Sequence, residues 1–241
     1  MAAIARPLML LAAVAAACQP LAISQAPPAA SAARFVVVLD AAHGGDDPGA
    51  RLGNESEKDL TLGLSVKLRS LLMARGISVV TTRESGADVD AFARAEIANR
   101  ANAAACLNLH AALVNSKSGP AVHLFLSSLP SAANPTFVPW NTAQSAWIQR
   151  SNELAGELNA ALTHAGITVT LGQAALPAID SMACPAVAIE VAPQRQTVAQ
   201  DAATSDDAGF EGQVAEALAA ALVEWRADGG QFAAQPGDRR P

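Results

Sequence analysis

Four residues in this chain are of the types that carry out metal-assisted hydrolysis: His43, Glu57, His110 and Glu190. Three of them follow short apolar runs. Phe35 to Leu39 leads through Asp40 and two alanines to His43, Cys106 to Leu109 ends on His110, and Ala186 to Ile189 ends on Glu190. Continuous runs of this kind, rich in β-branched residues, read as buried strands of a parallel sheet. Open α/β sheets place their chemistry at the carboxyl ends of such strands, so the three side chains should meet on one edge. Glu57 stands fourteen residues past His43, at the start of a helical stretch.

Taken singly, each residue has an ordinary reading. A histidine after a strand is commonly a hydrogen-bonded structural residue, and a glutamate in the first turn of a helix compensates the helix dipole. Taken together, two imidazoles and a carboxylate are a standard ligand set for catalytic zinc, with the fourth position left to water. Glu190 is then the candidate general base. Gly44 and Gly45 let backbone approach such a site closely, and Asp46-Asp47-Pro48-Gly49 extends the turn.

The segments LDAAHGGDDPGA, ESEKDLTL, TTR at Thr81 to Arg83, ARAEIANRANAAACLNLHAA and PAVAIEV occur in this order between Phe35 and Val191. In order and spacing they resemble the zinc-dependent N-acetylmuramoyl-L-alanine amidases, bacterial cell-wall hydrolases of α/β type. The resemblance implies that His43, Glu57 and His110 hold Zn²⁺ and that Glu190 is the catalytic glutamate. It implies a peptidoglycan substrate, cut at the amide between N-acetylmuramic acid and L-alanine. Arg94 and Asn99 match positions of that family with structural roles behind the site. Three departures stand out. Ala41-Ala42 replaces the usual Pro-Gly, Ala112 replaces an Asn, and Val191-Ala192-Pro193-Gln194 replaces a Gly-Phe and Ser-Asn pattern. None removes a ligand; the last bears on substrate positioning near Glu190. Without the resemblance, the residues imply only zinc-dependent hydrolysis of an amide-like bond. A related metal-dependent deacylase or carboxypeptidase would use the same trio, and a non-catalytic wall-binding module is the alternative of another class.

The elements that must position these residues follow from periodicity. The expected fold class is α/β: a single three-layer domain, with a mostly parallel twisted sheet of about six strands flanked by helices. Lys58 to Arg75 carries Leu60, Leu64, Leu68, Leu71 and Leu72 on one helical face, and Gly76 suits the left-handed position that ends a helix. Further strands are expected at Ile77 to Thr82, Ala121 to Leu126 and Ile167 to Leu171, with Gly172 to Ala183 as loop. Further helices are expected at Asp90 to Ala104, Thr142 to His164 and Asp207 to Trp225. His123 lies inside its strand, away from the carboxyl end, and reads as structural. His164 sits at a helix end where a cation suits the dipole.

The connection Ser127 to Asn141 is long for a loop without a role of its own. Its Phe137 and Trp140 either stack on sugar rings or cover the cleft, or else pin the loop to the body.

The flanks carry a different message. Residues 1–24, with Arg6 before an apolar stretch ending at Cys18, read as a secretory signal, too short to span a bilayer. Ala15-Ala16-Ala17-Cys18 resembles a lipobox, which would lipidate Cys18 and give a membrane tether; ordinary cleavage near Ala22 to Ala26 is the alternative. Residues 25–33 read as a flexible tether, 34–228 as the catalytic domain and 229–241 as a disordered tail. An exported protein of the periplasm or cell envelope is the expectation. The net charge of −6 without a basic cluster argues against nucleic acid as a partner, and nothing in the pattern sets an oligomeric state. Lipidation of Cys18 would leave Cys106 and Cys184. They could bridge only if their Cα atoms lie within about 4.4–6.8 Å; both precede strands of one sheet, so pairing is conceivable, but they are read in preference as small buried hydrophobes.

Overall fold

The apolar runs become strands, and the leucine stripes become the helices that cover them. The structure, a computed structural model, describes residues 34–52, 55–112, 119–193 and 205–229. The segments expected as signal and tether, and all of the expected tail but Gly229, lie outside the described residues. In chain order come β1 (Val36–Ala41), β2 (Arg51–Leu52), β3 (Glu55–Ser56), α1 (Glu57–Ala74), β4 (Ser78–Thr81), α2 (Ala91–Ala101), β5 (Ala105–Ala111) and β6 (Ala121–Ser127). A 3₁₀ segment (Trp140–Ala146) then leads to α3 (Ile148–His164), β7 (Thr168–Ala174), α4 (Pro177–Asp180), β8 (Ala186–Ala192) and α5 (Ser205–Ala227).

Six strands form one sheet in the order β4-β1-β5-β8-β6-β7, and β2 pairs with β3 in a separate small ribbon. All neighbours in the large sheet run parallel except β6, which is antiparallel to β8. This is the expected α/β architecture.

Strand side chains alternate between faces, and the two faces have different compositions. One carries Val37, Leu39, Leu107, Leu109, Val187 and Ile189, packed under α1, α3 and α5 through leucines such as Leu68, Leu158 and Leu218. The other carries Val38, Cys106, Ala186 and Ala188 under α2 and α4, through Ala95, Ala98 and Ile179. Along β1, β5 and β8 this second face turns polar toward the carboxyl ends: Asp40, then Asn108 and His110, then Glu190. The site is therefore the uncovered continuation of the second face.

Several expected boundaries shift. The helix expected over Thr142 to His164 is broken at Trp147 (φ −116°, ψ 0°) between the 3₁₀ segment and α3. Just before the break Gln144 is turned inward: it is fully buried and its Nε2 donates to the carbonyls of Met182 and Cys184. Ser151 Oγ donates to its Oε1. The seventh strand extends to Ala174 because it pairs with β6 along its whole length, and α4 occupies part of the expected loop. Cys106 and Cys184 are joined by a disulfide, with Cα atoms 6.3 Å apart, so they are not two independent buried thiols.

Candidate metal centre

His43 leaves β1 by a backbone conformation that few residues adopt. Its φ is +61°, and Gly44 and Gly45 follow at +141° and +57°. A non-glycine residue at positive φ is strained and persists only when its surroundings hold it there. Two buried arginines do so. Arg94 donates from Nη2 to the His43 carbonyl at 2.7 Å and from Nη1 to the Ala41 carbonyl at 2.6 Å. Arg83 donates from Nε to the Ala41 carbonyl and from Nη2 to the Ala42 carbonyl, at 2.8 and 2.9 Å. Arg94 is itself anchored, with Nη1 2.6 Å from Asp40 Oδ1, both side chains almost fully buried. Gly49, at φ +65°, approaches so closely that a methyl group there would lie 2.6 Å from the His43 ring and 2.7 Å from Glu57 Oε2.

Glu57 is the first residue of α1, and the helix holds its carboxylate between the two histidines. Oε2 lies 3.1 Å from His43 Nε2, and Oε1 lies 2.9 Å from His110 Nδ1. Backbone amides of Ala50 and Ala111 donate to Oε2 and Oε1 at 2.9 and 3.2 Å. Burial pushes the Glu57 carboxyl up, but the bonds from His110 and the two amides, with the charge of His43, outweigh it and bring it down to about 2. It is an anion throughout the physiological range.

The outer nitrogens of both rings are also engaged, and their partners decide the tautomers. His43 Nδ1 lies 2.7 Å from Asp47 Oδ2. Asp47 is held below the usual carboxylate range by that bond and by the Gly49 amide, so it accepts and the ring donates. His110 Nε2 lies 2.9 Å from Asn108 Oδ1. The amide orientation follows from its other end, where Asn108 Nδ2 donates to Asp40 Oδ2 at 2.7 Å. Asp40 Oδ1 already accepts from Thr82 and Arg94. Nδ1 of His43 and Nε2 of His110 therefore donate outward, which leaves His43 Nε2 and His110 Nδ1 as the nitrogens that face Glu57.

Two imidazole nitrogens and an ionised carboxylate lie within 4.8 Å of one another, an arrangement that protons or a metal cation between them can hold. Tetrahedral zinc ligands at ~2.0–2.1 Å stand about 3.3 Å apart. The 2.9 and 3.1 Å contacts are made by different oxygens of Glu57, and with one atom from each residue the three lie within 4.8 Å of one another, so seating the metal takes up to about 1.5 Å of closing. The donor set fits the metal. The His43 and His110 side chains remain 23% and 32% exposed, and they border an open cleft of about 250 Å³, so the cluster has room for a further ligand.

Glu190 enters from the neighbouring strand. It is in register with His110 across β5 and β8, and with His123 across β8 and β6. Side chains in direct register share a face at roughly 4.5–5.5 Å between Cβ atoms, so Glu190 stands between the two rings. It is half-buried and has no hydrogen bond among the described residues. His123 Nδ1 lies 2.5 Å from Thr170 Oγ1. The sequence reading set His123 apart from the carboxyl-end cluster. The reversed direction of β6 instead brings its amino-terminal half to that edge, a fact no local pattern in the sequence encodes. Asn108 and Asp47 also escaped that reading. Asn108 had a signal, since it lies two residues before His110 and so on the same strand face. Arg94 and Asn99 take supporting places, Asn99 bonding the Ser181 carbonyl and the Ala183 amide ahead of the disulfide.

The sequence profile of the family described as N-acetylmuramoyl-L-alanine amidase matches residues 37–224. The chain belongs to this amidase family. Among curated relatives of the amidase, the sporulation-specific N-acetylmuramoyl-L-alanine amidase of Bacillus subtilis is 33% identical over 115 residues, 47% of this chain and 43% of that protein. The amidase AmiA of Escherichia coli is 38% identical over 82 residues, 34% of this chain and 28% of that protein. The matched segments thus span less than half the length of these relatives. Among solved structures, the catalytic domain of the amidase CwlV from Bacillus (Paenibacillus) polymyxa superposes with a TM-score of 0.62 at 23% identity, covering 80% of this chain and 98% of that one. The apo form of the amidase Ami1 from Mycobacterium abscessus gives 0.61 at 20% identity, with the same coverage. At such identities the likeness speaks to the fold, and it agrees with the sheet described above.

Proposed function

We propose that this amidase hydrolyses the amide bond between the lactyl group of N-acetylmuramic acid and L-alanine in peptidoglycan, with zinc held by His43, Glu57 and His110 and with Glu190 as general base. The observation that carries the reading is the convergence of the two inward imidazole nitrogens on ionised Glu57, with Glu190 in register beside His110. When bound, zinc supplies a water acidic enough to be deprotonated near neutral pH and polarises the scissile carbonyl. Glu190, whose side chain makes no hydrogen bond among the described residues, takes the proton from the attacking water and passes it to the leaving nitrogen of alanine. Asp47 and Asn108 keep the lone pairs of His43 and His110 aimed inward. Arg83 and Arg94 fix the backbone that carries His43.

Export to the periplasm or cell envelope belongs to the same reading. The Cys106–Cys184 disulfide suits an oxidising compartment, and no helix among the described residues is long and apolar enough to cross a membrane. The disulfide leaves Cys18 as the remaining one of three cysteines, available for lipidation. Radiolabelled palmitate on wild-type protein but not on Cys18→Ser would support the tether; a mature chain starting beyond Cys18 would exclude it.

The test of function is mass analysis of purified peptidoglycan digested by zinc-loaded and chelator-treated protein. The expected products are intact stem peptides beginning with L-alanine and glycan free of peptide, lost on chelation. Release of single carboxy-terminal residues would make it a carboxypeptidase, and an unchanged digest would leave a wall-binding module.

A further inference from the structure

A chain with six Phe, three Trp and no Tyr has few aromatic rings to spend. Most of those described help bury the body, as Phe35 and Trp225 do at 6% and 3% exposure. Phe92 and Trp140 do not. They are 56% and 66% exposed, yet they meet edge to face with ring centroids 5.0 Å apart. Phe92 comes from the first turn of α2 and Trp140 from the start of the 3₁₀ segment, at the end of the long connection after β6. Between them and the surface of α2 runs a groove of about 380 Å³, with Glu96, Asn99, Arg100 and Ser181 along it. Glu96 and Arg100 form an ion pair on its rim.

We propose that this groove is a saccharide-stacking subsite that holds a sugar ring of the glycan strand beside the hydrolytic cleft. The choice of a saccharide rests on the amidase reading above. Three observations support it. The groove neighbours the cleft along the start of α2, where Asp90 and Ala91 line the cleft and the next residue, Phe92, lines the groove. Its chemistry is mixed in the way a pyranose requires. The C–H face of a sugar packs on an aromatic face, and the hydroxyl and acetamido groups at its edge reach the charged rim of Glu96 and Arg100. Its aromatic surface alone is small for a protein partner. Two aromatic side chains, even fully buried, contribute on the order of 300–500 Å², short of the roughly 800 Å² per partner of a specific protein interface. The substrate bond joins a peptide to a sugar, so a site that reads only the peptide would leave half of the substrate unheld.

The test uses the full chain and chitotetraose, an N-acetylated glycan without peptide, followed by isothermal titration calorimetry. Wild type should bind. Phe92→Ala and Trp140→Ala should each weaken binding by roughly fivefold or more, as removal of an aromatic anchor does. Trp140→Phe should recover most of the loss. Phe137→Ala is the control, since Phe137 is 82% exposed but does not line the groove; its binding should match wild type. All substituted side chains are exposed, and an unchanged melting temperature certifies each variant. Absence of wild-type binding, or equal binding by every variant, overturns the subsite. Turnover of intact peptidoglycan is scored separately. A chain that binds chitotetraose through Phe92 and Trp140 but releases no stem peptide contradicts the amidase reading and leaves the subsite standing. A chain that turns over peptidoglycan with flat chitotetraose binding overturns the subsite alone.

Discussion

The two sides of the sheet edge are built on opposite rules. Around β1, α1 and β5, every polar atom of His43, Glu57 and His110 has a partner: Asp47 and Asn108 behind the rings, the Ala50 and Ala111 amides on the carboxylate. One strand further on, Glu190 has only its cross-strand neighbours and no hydrogen bond among the described residues. The difference matches two tasks. Holding a cation needs donors fixed in place and in protonation state, which outer hydrogen bonds supply. Carrying a proton between water and a leaving group needs a carboxylate with unengaged oxygens, since bonds to its charged form would weaken it as a base.

Substitutions on the two sides should therefore fail differently. The largest expected effect is on Glu190→Gln, which keeps shape but cannot take up a proton. Its turnover of peptidoglycan should fall by about 10²–10⁴-fold; activity within about threefold of wild type would make Glu190 structural. On the opposite side, Arg94→Met breaks a buried ion pair and releases the His43 carbonyl, and stability should fall by roughly 3–5 kcal/mol in urea unfolding. Asn108→Ala leaves the ligands in place but frees the His110 tautomer. Metal affinity should drop by about 10–100-fold, measured by competition with a chelating dye, with little change in folding.

The smallest effect is one of pH. The folded Glu57 carboxyl lies at about 2 against an ordinary value of 4.5, so its folded-state value is depressed. Its contribution to metal-free stability is complete above that ordinary value and is lost as pH falls through about 2. Acid unfolding of Glu57→Gln should accordingly show a shallower loss in that window than wild type; parallel curves would mean that the bonds to Glu57 add nothing.

Much of this was legible from residue types and spacing. The His43, Glu57, His110 and Glu190 positions follow from strands ending on chemical residues and from the leucine period of α1, whose start falls one residue before the expected Lys58. Buried runs and helical stripes announce themselves because burial fixes both periods. Strand direction does not, since an apolar run reads alike both ways; that is why His123 looked remote and is instead beside Glu190. Buried polar residues mislead in the same manner. Gln144, a polar residue inside the stretch expected as one helix, sits fully buried, close to where that helix is interrupted. The Cys106–Cys184 bond, between residues 78 apart in sequence, depends on β5 and β8 being neighbours, which only the strand order reveals.

The division between ligand and base is tested most directly by the zinc content of two variants prepared side by side. Glu190→Gln and His110→Ala are purified, dialysed against trace-metal-free buffer, reloaded with zinc and assayed for bound metal per folded chain. With Glu190 as base and His110 as ligand, the first retains about one zinc per chain, as the wild type does, and the second loses stoichiometric metal. Loss of zinc from Glu190→Gln would make Glu190 a fourth ligand and the site a closed structural one. Full retention by His110→Ala would contradict the metal centre itself.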